Sequence, residues 1–121
     1  IGTGSGNDTV LFDRFSNGLY FTTTGVWGKT KIDTGDGSDF VYIHHAHFKK
    51  DFEVFLGNSV GFLAFDALNV EESTFKGAFK ADGQQDGDIY GEENSDFQGL
   101  KAVMNFSLLA DLTCPDWSEL I

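Results

Sequence analysis

Apolar residues in this chain recur at every second position in short runs, not at the three-to-four residue spacing of an amphipathic helix. Val10 with Phe12, Val41 with Ile43, and Leu63 with Phe65 begin three such runs, and Ile89 with Gly91 stands in the same place in a fourth. The anchors Val10, Val41, Leu63 and Ile89 lie 31, 22 and 26 residues apart. A second apolar pair follows in the middle copies, Ala46 with Phe48 and Leu68 with Val70. Each copy closes on a third alternating run: Leu19 and Phe21; Phe52, Val54 and Leu56; Phe75, Gly77 and Phe79; Leu100, Ala102, Met104 and Phe106.

Three short period-2 strands per copy, in a constant order, describe one coil of a parallel β-helix. A single coil cannot bury its apolar side chains. Stacked coils bury them against equivalent residues about 4.8 Å above and below, as ladders. Evenly spaced short strands also suit a twisted β-sandwich. The recurring order of strands and corners favours the first architecture. The expectation is an all-β, right-handed parallel β-helix, or solenoid, of about four coils over residues 1–106. Residues 107–121 are expected to cap or extend it. Thr113 and Asp116 have the spacing of a capping box, and Pro115 suits a first helical turn. The first copy is longer than the rest, and its excess is placed in residues 22–30, as a loop carrying Trp27.

Composition supports this picture. Thirteen Phe and fifteen Gly stand beside a single Pro in 121 residues, a mixture suited to strands and tight turns. The Phe residues are the expected rungs of a narrow core. Nineteen acidic against eight basic residues give a formal charge of −11. Such a surface repels phosphate backbones and anionic lipid, which argues against nucleic-acid binding, and it attracts cations. No apolar run reaches the length of about 18 residues that a membrane span requires. The lone Cys114 has no partner for an internal disulfide. Ile1 opens directly on a turn motif, so the chain reads as a processed product or a piece of a longer protein.

That turn motif is TGSGNDTV (residues 3–10), and it returns as TGDGSDFV (residues 34–41). Both resemble the nonapeptide of the RTX (repeats-in-toxin) β-rolls, GGxGxDx followed by an aliphatic residue. Gly4, Gly6, Asp8 and Val10 match in the first turn, and Gly35, Gly37, Asp39 and Val41 in the second. The resemblance implies calcium, with Asp8 and Asp39 as ligands. Asp36 lies between Asp33 and Asp39 in an acidic cluster that adds to the donor set. The candidate metal residues are therefore Asp8, Asp36 and Asp39, with Ca2+ as the candidate cofactor. Gly and Asp also build such corners without any metal. In the third copy Gly61 stands where the Asp is due, and in the fourth Gly87 does.

If the anchors point inward, their neighbours turn outward. The expected outer columns are Thr9, Phe40, Phe62 and Asp88; Leu11, Tyr42, Ala64 and Tyr90; and Asp13, His44, Asp66 and Glu92. Phe40, Tyr42, Phe62 and Tyr90, with Trp27 nearby, form the candidate ligand-binding face, since aromatic rings bordered by carboxylates suit a sugar. Parallel β-helices include polysaccharide lyases and polygalacturonase-like hydrolases, whose acids sit on adjacent coils of one sheet, so the column Asp13, His44, Asp66 and Glu92 supplies the candidate catalytic residues. Adjacent coils would put Asp66 and Glu92 about 5 Å apart. In the HHAH stretch, His45 and His47 alternate onto one face and could share a zinc or copper ion. The expected function is that of a non-catalytic structural, adhesin-like or assembly module of a secreted or surface bacterial protein. Its expected partner is another chain, or a copy of itself, at the exposed face or the open N-terminal coil. The alternative is a carbohydrate-active enzyme acting on a polysaccharide.

Overall fold

A computed structural model describes residues 1–13, 15–16, 21–22, 24–58, 65–84, 88–106 and 108–110. Within them the chain is all-β, with no helix. The first copy holds β1 (Thr9–Phe12), β2 (Phe15–Ser16), β3 (Phe21–Thr22), β4 (Thr24–Val26) and β5 (Thr30–Asp33). The second holds β6 (Phe40–His44), β7 (Ala46–Phe48) and β8 (Phe52–Phe55). The third holds β9 (Ala67–Glu71), β10 (Thr74–Phe75) and β11 (Phe79–Asp82), and the fourth β12 (Ile89–Glu93), β13 (Asp96–Phe97) and β14 (Lys101–Met104). β15 (Leu108–Ala110) pairs onto β12, so the first sheet continues past the boundary expected at residue 106. The helical turn expected around Pro115 lies outside the described residues.

Corresponding strands pair in parallel, giving three sheets in the orders β1-β6-β9-β12-β15, β4-β7-β10-β13 and β5-β8-β11-β14. The register, not the strand order, departs from the sequence reading. Val10 pairs with Val41 as expected, but Val41 then pairs with Leu68, and Leu68 with Tyr90. Leu63 is not the third anchor. The offset between copies two and three is 27 residues, against 22 between copies three and four. The additional residues fall between Asn58 and Phe65, outside the described residues. In the first copy the excess lies elsewhere than expected. β4 and β5 pair with β7 and β8 at the short offset of 22, as Thr34 and Leu56 do, whereas β1 and β6 stand 31 apart. The intervening chain holds β2 and β3, which pair antiparallel with each other. Thr24–Val26 is therefore a sheet strand, and Trp27 sits just beyond it, 77% exposed.

Ladders fill the core. Val26, Phe48, Phe75 and Phe97 occupy one column, and Phe52 and Phe79 the next. Phe48 stacks on Phe75 at 5.1 Å, Phe75 on Phe97 at 5.1 Å, and Phe52 on Phe79 at 5.5 Å, all near-parallel. Edge-to-face contacts of 4.7 Å (Phe48–Phe52) and 4.6 Å (Phe75–Phe79) tie the two columns together. Parallel pairing forces this stacking, because identical side chains must lie one strand spacing apart. At the fourth copy the columns turn polar. Glu92 takes the place of Ile43 and Val70, and Lys101 that of Phe52 and Phe79. Lys101 Nζ lies 2.5 and 2.7 Å from the Glu92 carboxylate and 4.2 Å from the centroid of the Phe97 ring.

The corners carry their own ladders. Gly4, Gly35 and Gly57 all have positive φ, and a Cβ on Gly35 would lie 1.9 Å from the Gly4 carbonyl oxygen. Only glycine meets both demands. Aspartates follow in every copy. Asp8 N–H donates to Asp39 Oδ1 at 2.8 Å, Asp39 N–H to Asp66 Oδ1 at 2.7 Å, and Asp66 N–H to Asp88 Oδ1 at 3.0 Å. The turn aspartate that Gly61 and Gly87 seemed to replace is thus present as Asp66 and Asp88.

Candidate functional site

Chemistry-bearing side chains converge at the corner where the first sheet meets the second. Phe12 pairs with Ile43, so the next residues, Asp13 and His44, lie side by side on adjacent copies. Strict alternation would send His45 to the opposite face. Instead His45 has φ 54, and Glu72 and Asn94 repeat the left-handed conformation in the same column at φ 45 and 50. That backbone breaks the alternation and brings the two imidazoles together, with ring centroids 4.1 Å apart. The Thr24 hydroxyl donates to the Asp13 carbonyl, anchoring that residue to β4.

Asp13 Oδ1 faces both rings, 3.1 Å from His44 Nδ1 and 3.8 Å from His45 Nδ1. On their far sides the rings meet acids of the third copy. His45 Nε2 is 2.6 Å from Glu72 Oε2, and His44 Nε2 is 3.6 Å from Glu71 Oε2. One donor atom from each of Asp13, His44 and His45 lies within 4.8 Å of the others, and all three side chains are partly buried. Such a set can relay a proton or hold a cation.

The residues expected from sequence are only partly gathered here. Asp13 and His44 do meet, but Asp66 and Glu92 do not join them. Asp66 sits in the buried corner ladder, and Glu92 lies in an inward column beside Lys101. The four-residue catalytic column is therefore dispersed. Its error was one of register: the acids that align with His44 are Glu71 and Glu93. His47 pairs with Gly25 and Thr74 rather than sharing a face with His45. Of the expected aromatic face, Phe40 and Tyr42 stack at 6.2 Å and Phe65 meets Phe40 edge-on at 5.8 Å. Tyr42 is buried, as is its neighbour Asn69, whereas Leu11 beside Tyr42 and Phe65 beside Phe40 are exposed. Tyr90 points inward and donates its hydroxyl to Glu92 at 2.8 Å. Burial first, then the Glu92 carboxylate, holds its phenol protonated well above the ordinary range. Trp27 stands apart, under the Lys49 ammonium at 5.4 Å. Phe62 lies outside the described residues.

Asp8 and Asp39 belong to the corner ladder, while Asp36 is exposed. Burial raises the Asp39 carboxyl above the ordinary aspartate range, against the lowering influence of the Asp8 N–H and the Thr34 hydroxyl. Among the described residues, three ligand residues, one carboxylate and two imidazoles, converge at Asp13, His44 and His45, and not at these turns. Glu71 and Glu72 were missed from the sequence, yet a signal exists. Aligning the copies on Phe48, Phe75 and Phe97 sets IHHAHF over VEESTF and EENSDF, which brings the His pair onto the Glu pair.

No family model, no curated protein and no solved structure matches the chain.

Proposed function

We propose that the chain is a right-handed parallel β-helix of about four coils, serving as a non-catalytic structural and assembly module of a secreted or cell-surface protein. The observation that carries this reading is the one-sided pairing of the first copy. Among the described residues, β1 and β4 have a strand partner only in the second copy. Ile1–Thr3 lie alongside Asp33 as the start of a further row: Asp33 N–H donates to Ile1 O at 2.9 Å, and Thr3 N–H to Asp33 O at 3.1 Å. A coil end of this kind offers backbone donors and acceptors at strand spacing, which is the template for another coil. The occupant that fits is a coil of the same kind, from another chain or from a second copy, whose corners carry matching glycines and aspartates.

The dispersal of Asp66 and Glu92 removes the support that the sequence lent to a carbohydrate-active enzyme. Charge shapes how assembly would proceed. At −11 per chain, two copies repel, and salt screens that repulsion. Sedimentation velocity across concentration and ionic strength tests the reading. Association should grow with protein concentration and strengthen as salt is raised. A chain that stays monomeric in concentrated solution at high salt would overturn the assembly role.

A further inference from the structure

The histidine corner holds an arrangement that neither packing nor assembly uses. Each imidazole has its Nε2 turned toward a carboxylate, Glu72 for His45 and Glu71 for His44. The Glu72 carboxylate accepts from His45 Nε2 at 2.6 Å, so in the neutral ring Nδ1 presents the lone pair, and His44 Nε2 points the same way, toward Glu71, over a longer 3.6 Å. Both Nδ1 atoms are buried and make no hydrogen bond. They nonetheless face Asp13 Oδ1 at 3.1 and 3.8 Å. Two imidazole nitrogens and a carboxylate oxygen that converge in this way make the donor set of a cation.

Donor spacing indicates which positive charge fits. A tetrahedral ion with bonds of about 2.1 Å spaces its donors roughly 3.4 Å apart, and the two observed distances bracket that value. Carboxylates behind metal-bound imidazoles set the tautomer and raise ligand basicity, which is the placement of Glu71 and Glu72. Two nitrogen donors select a borderline ion such as zinc over calcium, which takes oxygen ligands. The strongly acidic surroundings favour a dication further.

We propose that Asp13, His44 and His45 form a binding site for zinc(II) or a similar first-row dication. Glu71 and Glu72 act as positioning residues behind the two rings. Three protein ligands leave a coordination position for water. The ion clips the end of β1 to the corner after β6, just ahead of the antiparallel β2-β3 pair along the chain.

Calorimetric titration of the metal-free full chain with zinc chloride near neutral pH tests the site. One equivalent should bind, and the melting midpoint should rise with zinc concentration. His44→Ala, His45→Ala and Asp13→Asn should each weaken binding at least about tenfold, and Glu72→Gln about 10- to 100-fold. His47→Ala should bind as the parent does, and millimolar calcium should not compete. Absence of saturable one-to-one uptake would overturn the proposal. So would parent-like affinity in both His44→Ala and His45→Ala, or an equal loss in His47→Ala. Should those variants fail to fold, nitrogen-15 spectra of the parent histidines decide. Zinc must shift Nδ1 of two imidazoles, whereas a shift at Nε2 or at neither nitrogen sinks the idea.

Discussion

Asp39 Oδ1 accepts the backbone N–H of Asp8 at 2.8 Å, across 31 residues of sequence. The same bond recurs between Asp39 and Asp66 and between Asp66 and Asp88, so one residue type closes the corner in each copy. The aspartate works as a backbone cap between copies. That role makes distinct demands on charge and on shape, and substitution separates them.

Asp39→Ala removes the acceptor and strands the Asp8 N–H. A fully buried donor left unsatisfied costs about 1–3 kcal/mol; this one is partly buried, so denaturant unfolding should show a loss toward the lower end of that range. Asp39→Asn keeps an oxygen in place and should retain most of the stability.

The pH dependence follows from burial. Asp39 binds its proton more tightly in the folded chain than in the unfolded one, whose value lies near the ordinary 3.8. Its stabilising contribution is complete below that value and is lost as pH rises through the raised folded value. Asn cannot titrate. Paired thermal melts of the parent and Asp39→Asn should therefore move in favour of Asn as pH rises above about 4. A constant gap above that pH would show that Asp39 does not titrate abnormally.

Gly35→Ala should be far more damaging than Gly28→Ala. At Gly35 a Cβ meets the Gly4 carbonyl oxygen at 1.9 Å, and φ is +81. The left-handed backbone alone costs about 1–2 kcal/mol for a non-glycine residue, and the clash forces the copies apart. At Gly28 nothing lies within 4 Å. Equal melting midpoints for the two variants would refute the glycine ladder.

Phe75→Ala should lose about 3–5 kcal/mol, in the usual range for a buried aromatic truncated to alanine. Phe75 is wholly buried, stacked between Phe48 and Phe97 and touched edge-on by Phe52 and Phe79. Phe75→Leu should recover part of that loss. Chemical denaturation with an unchanged m-value would show that the loss belongs to the folded core.

Calcium gives a further contrast. Asp39 already spends Oδ1 on a backbone donor and lies buried, and Asp36 is exposed beside it. Millimolar calcium should leave the melting midpoint of the metal-free chain unchanged. A clear rise with calcium would return the RTX-like turns to the role their sequence suggests.

Much of the fold was readable as pattern. Alternation announced strands, glycine and aspartate announced corners, and the many Phe residues announced stacked rungs. The first interval, Val10 to Val41, was read in register because both copies retain the full Thr-Gly-x-Gly-x-Asp-x-Val turn. Register failed in the third copy, where extra residues between Asn58 and Phe65 separate the turn glycine from its aspartate. Leu63 lies within that insert, so anchoring there displaced the outer columns. The candidate site suffered most. His44 and His45 are adjacent in sequence, and simple alternation places adjacent side chains on opposite faces.

By itself, then, the sequence determined the period, the strand-and-corner order and the residues able to form ladders, since these depend on side-chain alternation and local turn chemistry. Tertiary structure decided which residues share a rung. Register between parallel strands is set by backbone hydrogen bonds across 22, 27 or 31 residues, and corner inserts shift it without altering the local pattern. It also decided that Asp13, His44 and His45 meet. That meeting required a parallel neighbour on one side and a left-handed residue on the other, and only the folded chain brings both to one corner.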